Sequence, residues 1–233
     1  MVITMEFTRR TELLLGTEAI IKLKEATVLI LGLGGVGGYV VESLIRTGLG
    51  HIILVDYDYV EETNKNRQLI ALTSTVGRKK TELWKERIFE INPDCQVDVF
   101  DQKVSKETVM DLFQCDIDFV IDACDTLVVK EELIRVCTGH HIPFLTVTGT
   151  ACKMDPRQLE IVELQKTTYD PIAKKLRKMV TTEHIKGKVM TVSSREPLFS
   201  KTTQELPSAI FVPATAGILC ANYVVKELLG DRK

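Results

Sequence analysis

Residues 30–42 read ILGLGGVGGYVVE: an apolar run, a cluster of glycines, then an amphipathic run. Glycines at 32, 34, 35, 37 and 38 cost backbone entropy on folding, so the chain here must turn tightly or approach a ligand closely. Gly32-x-Gly34-x-x-Gly37 is the dinucleotide fingerprint, weak alone and stronger between a strand and a helix. Both flank it. Thr27–Leu31 (TVLIL) is a β-branched and apolar run that predicts a buried strand, and Val36 to Gly48 carries helical spacing ending on a glycine. A second strand, Ile52–Val55, closes on Asp56, where a ribose-binding carboxylate belongs about 20 residues beyond the glycines. To this point NAD and ATP are equally good readings.

The rhythm continues outward. A helix is expected over Gly77 to Asn92, then a strand over Gln96–Phe100 and a helix from Ser105 to Phe113. A strand over Phe119–Ile121, a helix from Leu127 to Gly139 and a strand over Pro143–Val147 complete the first part. Strands alternating with helices indicate βαβ units, hence a doubly wound, Rossmann-like α/β fold with a mostly parallel sheet. After Gly149 the rhythm changes: strand Leu159–Leu164, basic helix Pro171–Val180, strand Lys188–Val192 and closing helix Ala214–Leu229. These form a C-terminal mixed-strand elaboration. One domain over residues 1–233 is expected, with nucleotide binding in about 1–150 and a substrate side in about 151–233.

At 233 residues, 45% hydrophobic and 27% charged, the chain has ample material for a core and no sign of wholesale disorder. A net charge of −2 gives no global attraction to nucleic acid, so any such contact must come from a local patch. The six cysteines are scattered without a C-x-x-C pair, which argues against a four-cysteine zinc site. Reduced, mostly buried thiols fit a cytoplasmic protein. The apolar run from Ala209 to Leu229 is interrupted by Pro213, Gly217, Asn222, Lys226 and Glu227, so no membrane span is expected.

Residues after the ribose acid separate the two nucleotides. Residues 56–68 read DYDYVEETNKNRQ and residues 76–80 read VGRKK, placing Asp58, Asn64, Arg67 and Lys80 behind the glycine loop. A nicotinamide enzyme has no general use for such a set, whereas a nucleoside triphosphate needs its negative charge neutralised. Arg offers a planar fork for phosphate and Lys a compact point charge. Residues 120–126, VIDACDT, add Asp122 and Asp125 at a strand end. Carboxylates there suit Mg²⁺ shared with substrate phosphates, with Asp125 the metal-side acid and Asp122 structural. The competing reading is that Asp125 or Thr126 caps the next helix.

The ordered set resembles the ubiquitin-activating-enzyme-like superfamily (the ThiF, MoeB and HesA group) of adenylating enzymes. The matching residues are Arg10; Gly32, Gly34, Gly35 and Gly37; and Asp56, Asp58, Asn64, Arg67, Gln68, Lys80 and Asp125. Within it, the chain is similar to the tRNA threonylcarbamoyladenosine dehydratases. The stretches that carry this likeness are VTGTACKMDPRQ (147–158), KTTYDPIAKKLR (166–177), SSREP (193–197) and FVP (211–213). Gly38 departs from the pattern, since serine is common there, and Ala151-Cys152-Lys153 replaces a more glycine-rich run.

The resemblance implies a ligase-type enzyme that uses ATP and Mg²⁺. It would adenylate the threonine carboxylate of threonylcarbamoyladenosine in tRNA, whose carbamoyl group then closes the ring and expels AMP. It implies catalytic roles for Arg10, Arg67, Lys80 and Asp125, a homodimer in which Arg10 reaches the partner's ATP site, and a sulfur-relay protein as a candidate partner. Lys174, Lys175, Arg177 and Lys178, with Lys186 and Lys188, form a candidate patch for the tRNA backbone. Relatives that transfer acyl groups to their own thiol need a cysteine after the nucleotide part, and none lies between Cys152 and Cys220. Two alternatives remain: adenylation of the C-terminal glycine of a ubiquitin-like sulfur carrier, and an NAD-binding oxidoreductase or non-catalytic scaffold.

Overall fold

The computed structural model describes residues 6–198 and 206–230. Two short helices open it, α1 (Arg9–Leu15) and α2 (Thr17–Glu25), bent apart at Gly16 with φ 86°. Neither is expected from the periodicity. α1 buries no residue and so carries no apolar stripe, while α2 hides only Ala19, Ile20 and Leu23.

The alternating part follows: β1 (Thr27–Leu31), α3 (Gly37–Thr47), β2 (His51–Val55), α4 (Lys80–Ile91), β3 (Gln96–Phe100), β4 (Phe119–Asp122), α5 (Leu127–Gly139) and β5 (Phe144–Val147). The expected helix from Ser105 to Phe113 is instead a turn followed by a 3-10 segment, Val109–Leu112. Ser105 and Thr108 explain the difference. The Thr108 hydroxyl accepts the Ser105 N–H at 2.9 Å, and such side-chain bonds compete with helix propagation. The helix expected from Gly77 starts only at Lys80, because the preceding residues form a loop that bridges Tyr59 to Lys79. Beyond β5 come β6 (Leu159–Glu163), α6 (Pro171–Thr182), β7 (Met190–Ser194) and α7 (Phe211–Leu229). α7 starts before the expected Ala214, with Pro213 in the first turn, where a missing N–H costs nothing.

The seven strands make one sheet in the order β3-β2-β1-β4-β5-β7-β6. All neighbours are parallel except the edge pair β6–β7, so the expected mixed-strand elaboration is an antiparallel addition to the same sheet. Alternate residues of β1 serve opposite faces. Val28 and Ile30 pack with Val40, Leu44, Trp84 and Val224, while Leu29 and Leu31 pack with Val129, Leu133 and Val136. Helices therefore cover both faces of a fully buried strand. Strand order reverses between β1 and β4, so the ligand crevice opens at their carboxyl ends. α7 crosses α3 behind the glycine loop. A Cβ on Gly217 would lie 2.4 Å from the Val36 carbonyl oxygen, so only glycine permits this approach. Among the described residues, no helix is long and apolar enough to cross a membrane.

Candidate active site

The glycines are not equivalent. Gly32 has φ 89°, and a Cβ there would lie 2.8 Å from the Ala123 carbonyl oxygen. At Gly37 a Cβ would meet the Gly32 carbonyl oxygen at 1.8 Å, so that glycine closes the loop onto α3. Gly38 packs on Trp84, whose Cζ2 would be 2.8 Å from an added Cβ, which accounts for glycine rather than serine. Gly34 and Gly35 face the segment that carries Gln68 and Arg67. A Cβ on Gly34 would sit 3.7 Å from Gln68 Nε2, an ordinary contact. The fold itself does not demand that glycine, which leaves close approach of a ligand as its reason. No side chain caps α3 at Val36; instead the Gly38 N–H donates to the Gly34 carbonyl and the Tyr39 N–H to the Val36 carbonyl, both at 3.0 Å, which closes the glycine loop onto the helix.

Asp56 terminates β2 and braces the loop. Its Oδ2 accepts the Leu33 N–H at 2.7 Å, and its Oδ1 accepts the Asp58 N–H at 2.9 Å. Lys80 opens α4, and its Nζ lies 2.7 Å from Asp58 Oδ2, with the lysine side chain 6% exposed and the carboxylate 47% exposed. A buried stem thus carries the ammonium to a half-exposed carboxylate. Asn64 is buried and ends a 3-10 turn, Glu62–Asn64, where its Oδ1 accepts the Glu61 N–H at 3.3 Å. Arg67 donates through Nη1 to the Thr63 carbonyl and to Asn66 Oδ1, both at 2.9 Å, which holds its stem against Gly35. Gln68 is buried, yet its Oε1 has no hydrogen-bond partner among the described residues. An orphaned acceptor beside a glycine loop fits a ligand that brings a donor.

The two carboxylates of VIDACDT have opposite surroundings. Asp122 is the last residue of β4 and is 1% exposed, paired at 3.0 Å with the equally buried Lys130. Burial opposes the charge on Lys130, but Asp122 outweighs it and holds the ammonium pKa above its ordinary value. Asp125 is exposed, and its side chain does not cap α5: Thr126 takes the N-cap position without a side-chain bond. The Tyr57 hydroxyl has a raised pKa because of Asp58, partial burial, Asp125 and Asp56, in that order, so all three carboxylates are within electrostatic reach of that ring. Among the described residues no group of three or more His, Cys, Asp or Glu side chains could hold a metal. Mg²⁺ fits here on other terms, since it is normally held by one or two carboxylates plus substrate phosphates.

Of the expected residues, Asp56 bonds the glycine loop at Leu33, Gln68 and Arg67 face Gly34 and Gly35, and Lys80 pairs with Asp58, whose N–H bonds Asp56. Arg10 is different: it lies on α1, exposed, with no hydrogen bond or ion pair to a described residue. Lys130 was not expected. Its signal was there, because it lies on the buried stripe of α5 between Val129 and Leu133, an unusual place for a charge. Burial pushes the Cys95 and Cys137 thiols up to about 12 and raises the Cys220 thiol as well.

Comparison with known proteins agrees with this geometry. The chain matches the ThiF family over residues 8–233. It is 40% identical to the tRNA threonylcarbamoyladenosine dehydratase of Bacillus subtilis, over 95% of this chain and 94% of that protein. It superposes on E. coli tRNA N6-threonylcarbamoyladenosine dehydratase, TcdA, in complex with AMP, with TM-score 0.89 and 36% identity over 94% of this chain and 92% of that one. The complex of the same enzyme with ATP gives TM-score 0.88, also at 36% identity, over 94% of this chain and 92% of that one. The glycine loop, the Asp56 brace and the likeness over nearly the whole chain agree: this chain belongs to the ThiF family, in its branch of tRNA threonylcarbamoyladenosine dehydratases.

Proposed function

We propose that this protein catalyses the ATP-dependent cyclising dehydration of N6-threonylcarbamoyladenosine in tRNA. The observation that carries the reading is a glycine loop braced by Asp56 and faced by Arg67 and Gln68, with Lys80 paired to Asp58 beside it. The threonine carboxylate oxygen bonds to the α-phosphorus of ATP and pyrophosphate leaves. The carbamoyl group then attacks the acyl carbon, loses a proton, and AMP departs, so the nucleoside loses the elements of water.

The residues divide this work by charge. Asp56 keeps acceptor capacity for the ribose hydroxyls beside its two backbone bonds. Lys80 and Arg67 offset charge on the phosphates where it develops. Asp125, unspent on capping, would hold Mg²⁺ together with the phosphates, and the ion would supply further neutralisation there. The substrate provides its own nucleophile, which agrees with the raised pKa of the buried Cys220 thiol.

Leu13 and Leu14 on α1 are 80% and 79% exposed beside Arg10, which supports a homodimer that covers this helix and delivers Arg10 to the partner's site. On α6, Lys174, Lys175 and Lys178 are exposed, whereas Arg177 is tied to Thr167, so the three lysines are the better phosphate contacts. One sheet carries both halves, which supports reading the chain as a single ATP-binding domain. A cytoplasmic setting and a sulfur-relay partner remain part of this proposal through the family likeness.

Nucleoside mass spectrometry tests it, on tRNA bearing threonylcarbamoyladenosine incubated with protein, ATP and Mg²⁺. Loss of one water from that nucleoside with matching AMP release is expected. An unchanged nucleoside, from protein that exchanges pyrophosphate into ATP with another carboxylate, would overturn the substrate and keep the adenylation.

A further inference from the structure

Every charged group assigned to ATP lies at the wall of the crevice, yet a fully buried ion pair sits directly beneath it. Asp122 and Lys130 are each 1% exposed, and their Oδ1–Nζ separation is 3.0 Å. Removing two charges from water is costly, and an apolar pair of similar volume often serves stability as well or better. Stability alone therefore does not account for the pair.

Its contacts show what it holds. The Asp122 carboxylate accepts from the Thr146 hydroxyl at 2.6 Å and from the Cys124 N–H at 3.3 Å, besides Lys130. Lys130 also donates to the Val147 carbonyl at 2.8 Å, which ties the end of β4 to the end of β5. The next residue, Ala123, presents the carbonyl against which Gly32 packs, and Cys124 presents the neighbouring N–H. Asp125 follows at once. It makes a 3.3 Å contact with the Thr126 hydroxyl and no helix-capping bond, so its direction is set by the turn before it.

We propose that Asp122 and Lys130 are positioning residues that act through the Ala123–Cys124 turn, setting both the seat of Gly32 and the aim of Asp125, and so the contribution of a divalent cation to ATP binding. This rests on reading the crevice as an ATP site with Asp125 as its metal-side acid. Partners that orient a metal-binding side chain typically matter by about 10–100-fold in metal affinity.

The test is calorimetric titration of the full chain with ATP, in Mg²⁺ and in chelator, beside thermal melting. The readout is the ratio of the two affinities, which a merely structural pair would not move. Wild-type protein is expected to bind ATP more tightly with Mg²⁺, and D125N to lose that gain. The neutral double variant D122N/K130M leaves no buried ion unpaired and is expected to lose about 10–100-fold of the gain whatever its melting temperature. A gain that vanishes in D125N but survives in D122N/K130M overturns this inference alone. Wild-type protein that binds ATP with no Mg²⁺ gain overturns the Asp125 assignment and this inference with it. Should the double variant not fold, Thr146→Val decides the matter, since it removes only the hydroxyl on Asp122 Oδ2. A smaller cut in the Mg²⁺ gain is expected, and an unchanged gain overturns the proposal.

Discussion

The glycine-loop side of the sheet and its β6–β7 edge are built on different terms. β1, β2 and β4 are buried almost throughout, and the loop above them is shaped by glycines pressed against backbone atoms. β6 is an antiparallel edge strand, half-buried at every position, and carries Glu160 and Glu163. The loop that follows β5 is held by side chains instead. Lys153 donates to the Glu196 carbonyl, and the Glu196 carboxylate accepts the Met154 and Asp155 N–H groups, both at 2.9 Å. Backbone-on-backbone contact cannot yield, whereas a side-chain clamp can be rebuilt with other residues. The first side is therefore the part of the fold that tolerates least change, and the second the part that can be rebuilt.

That contrast can be broken most sharply at Gly37. Gly37→Ala places a carbon 1.8 Å from a carbonyl oxygen, worse than ordinary overpacking, which costs about 1–3 kcal/mol. ATP-dependent stabilisation in thermal melting should disappear. Gly139→Ala is the control, because nothing lies within 4 Å of the added carbon. Equal damage from both would show that the loop is not the rigid part.

A smaller loss is expected at Lys80, which acts on charge rather than packing. Lys80→Ala should lower pyrophosphate exchange by about 10²–10³ while the melting profile stays cooperative. Near-normal exchange would remove Lys80 from the site. On the substrate side, replacing Lys174, Lys175 and Lys178 together by alanine should weaken tRNA binding and flatten its salt dependence by about one unit of slope per lost phosphate contact. ATP binding in the absence of tRNA should be unaffected, and an unchanged salt slope would clear α6 of a role.

The smallest effect lies far from the crevice. Glu42 joins α3 to α4 through Arg87, with Nε–Oε2 at 2.6 Å, and also pairs with Arg46. Burial raises its pKa, but hydrogen bonds from Arg87 and then Arg46 outweigh this and hold it below 4.5. A carboxylate depressed in this way stabilises the fold above its unfolded pKa, and the contribution is lost as pH falls through the folded value. Glu42→Gln should therefore lower the melting temperature slightly at pH 7 and make no difference once the pH is well below that value. A variant deficit that persists in acid would show that packing, not charge, accounts for the pair.

Local rules carried the sequence reading as far as the ligand. Glycine spacing, β-branched runs and helical periods marked the strands and helices from Thr27 to Val147, and residue chemistry marked Asp56, Asp58, Lys80 and Asp125. These features were legible because each depends on neighbours a few residues away. The helix expected over Ser105 to Phe113 failed because Ser105 and Thr108 side chains satisfy the backbone there. α1 escaped because it buries nothing within the chain, so no apolar period marks it.

Only the tertiary structure decided which glycines the fold requires. The sequence reading of VIDACDT already took Asp122 as structural and Asp125 as the crevice acid, and the structure supplies the partners behind that difference. Thr146, on a neighbouring strand, and Lys130, on the next helix, take the first into the core and leave the second in the crevice. Periodicity reports which face a residue occupies, but the partner on that face comes from elements distant in the chain. Burial then sets the cost of each charge.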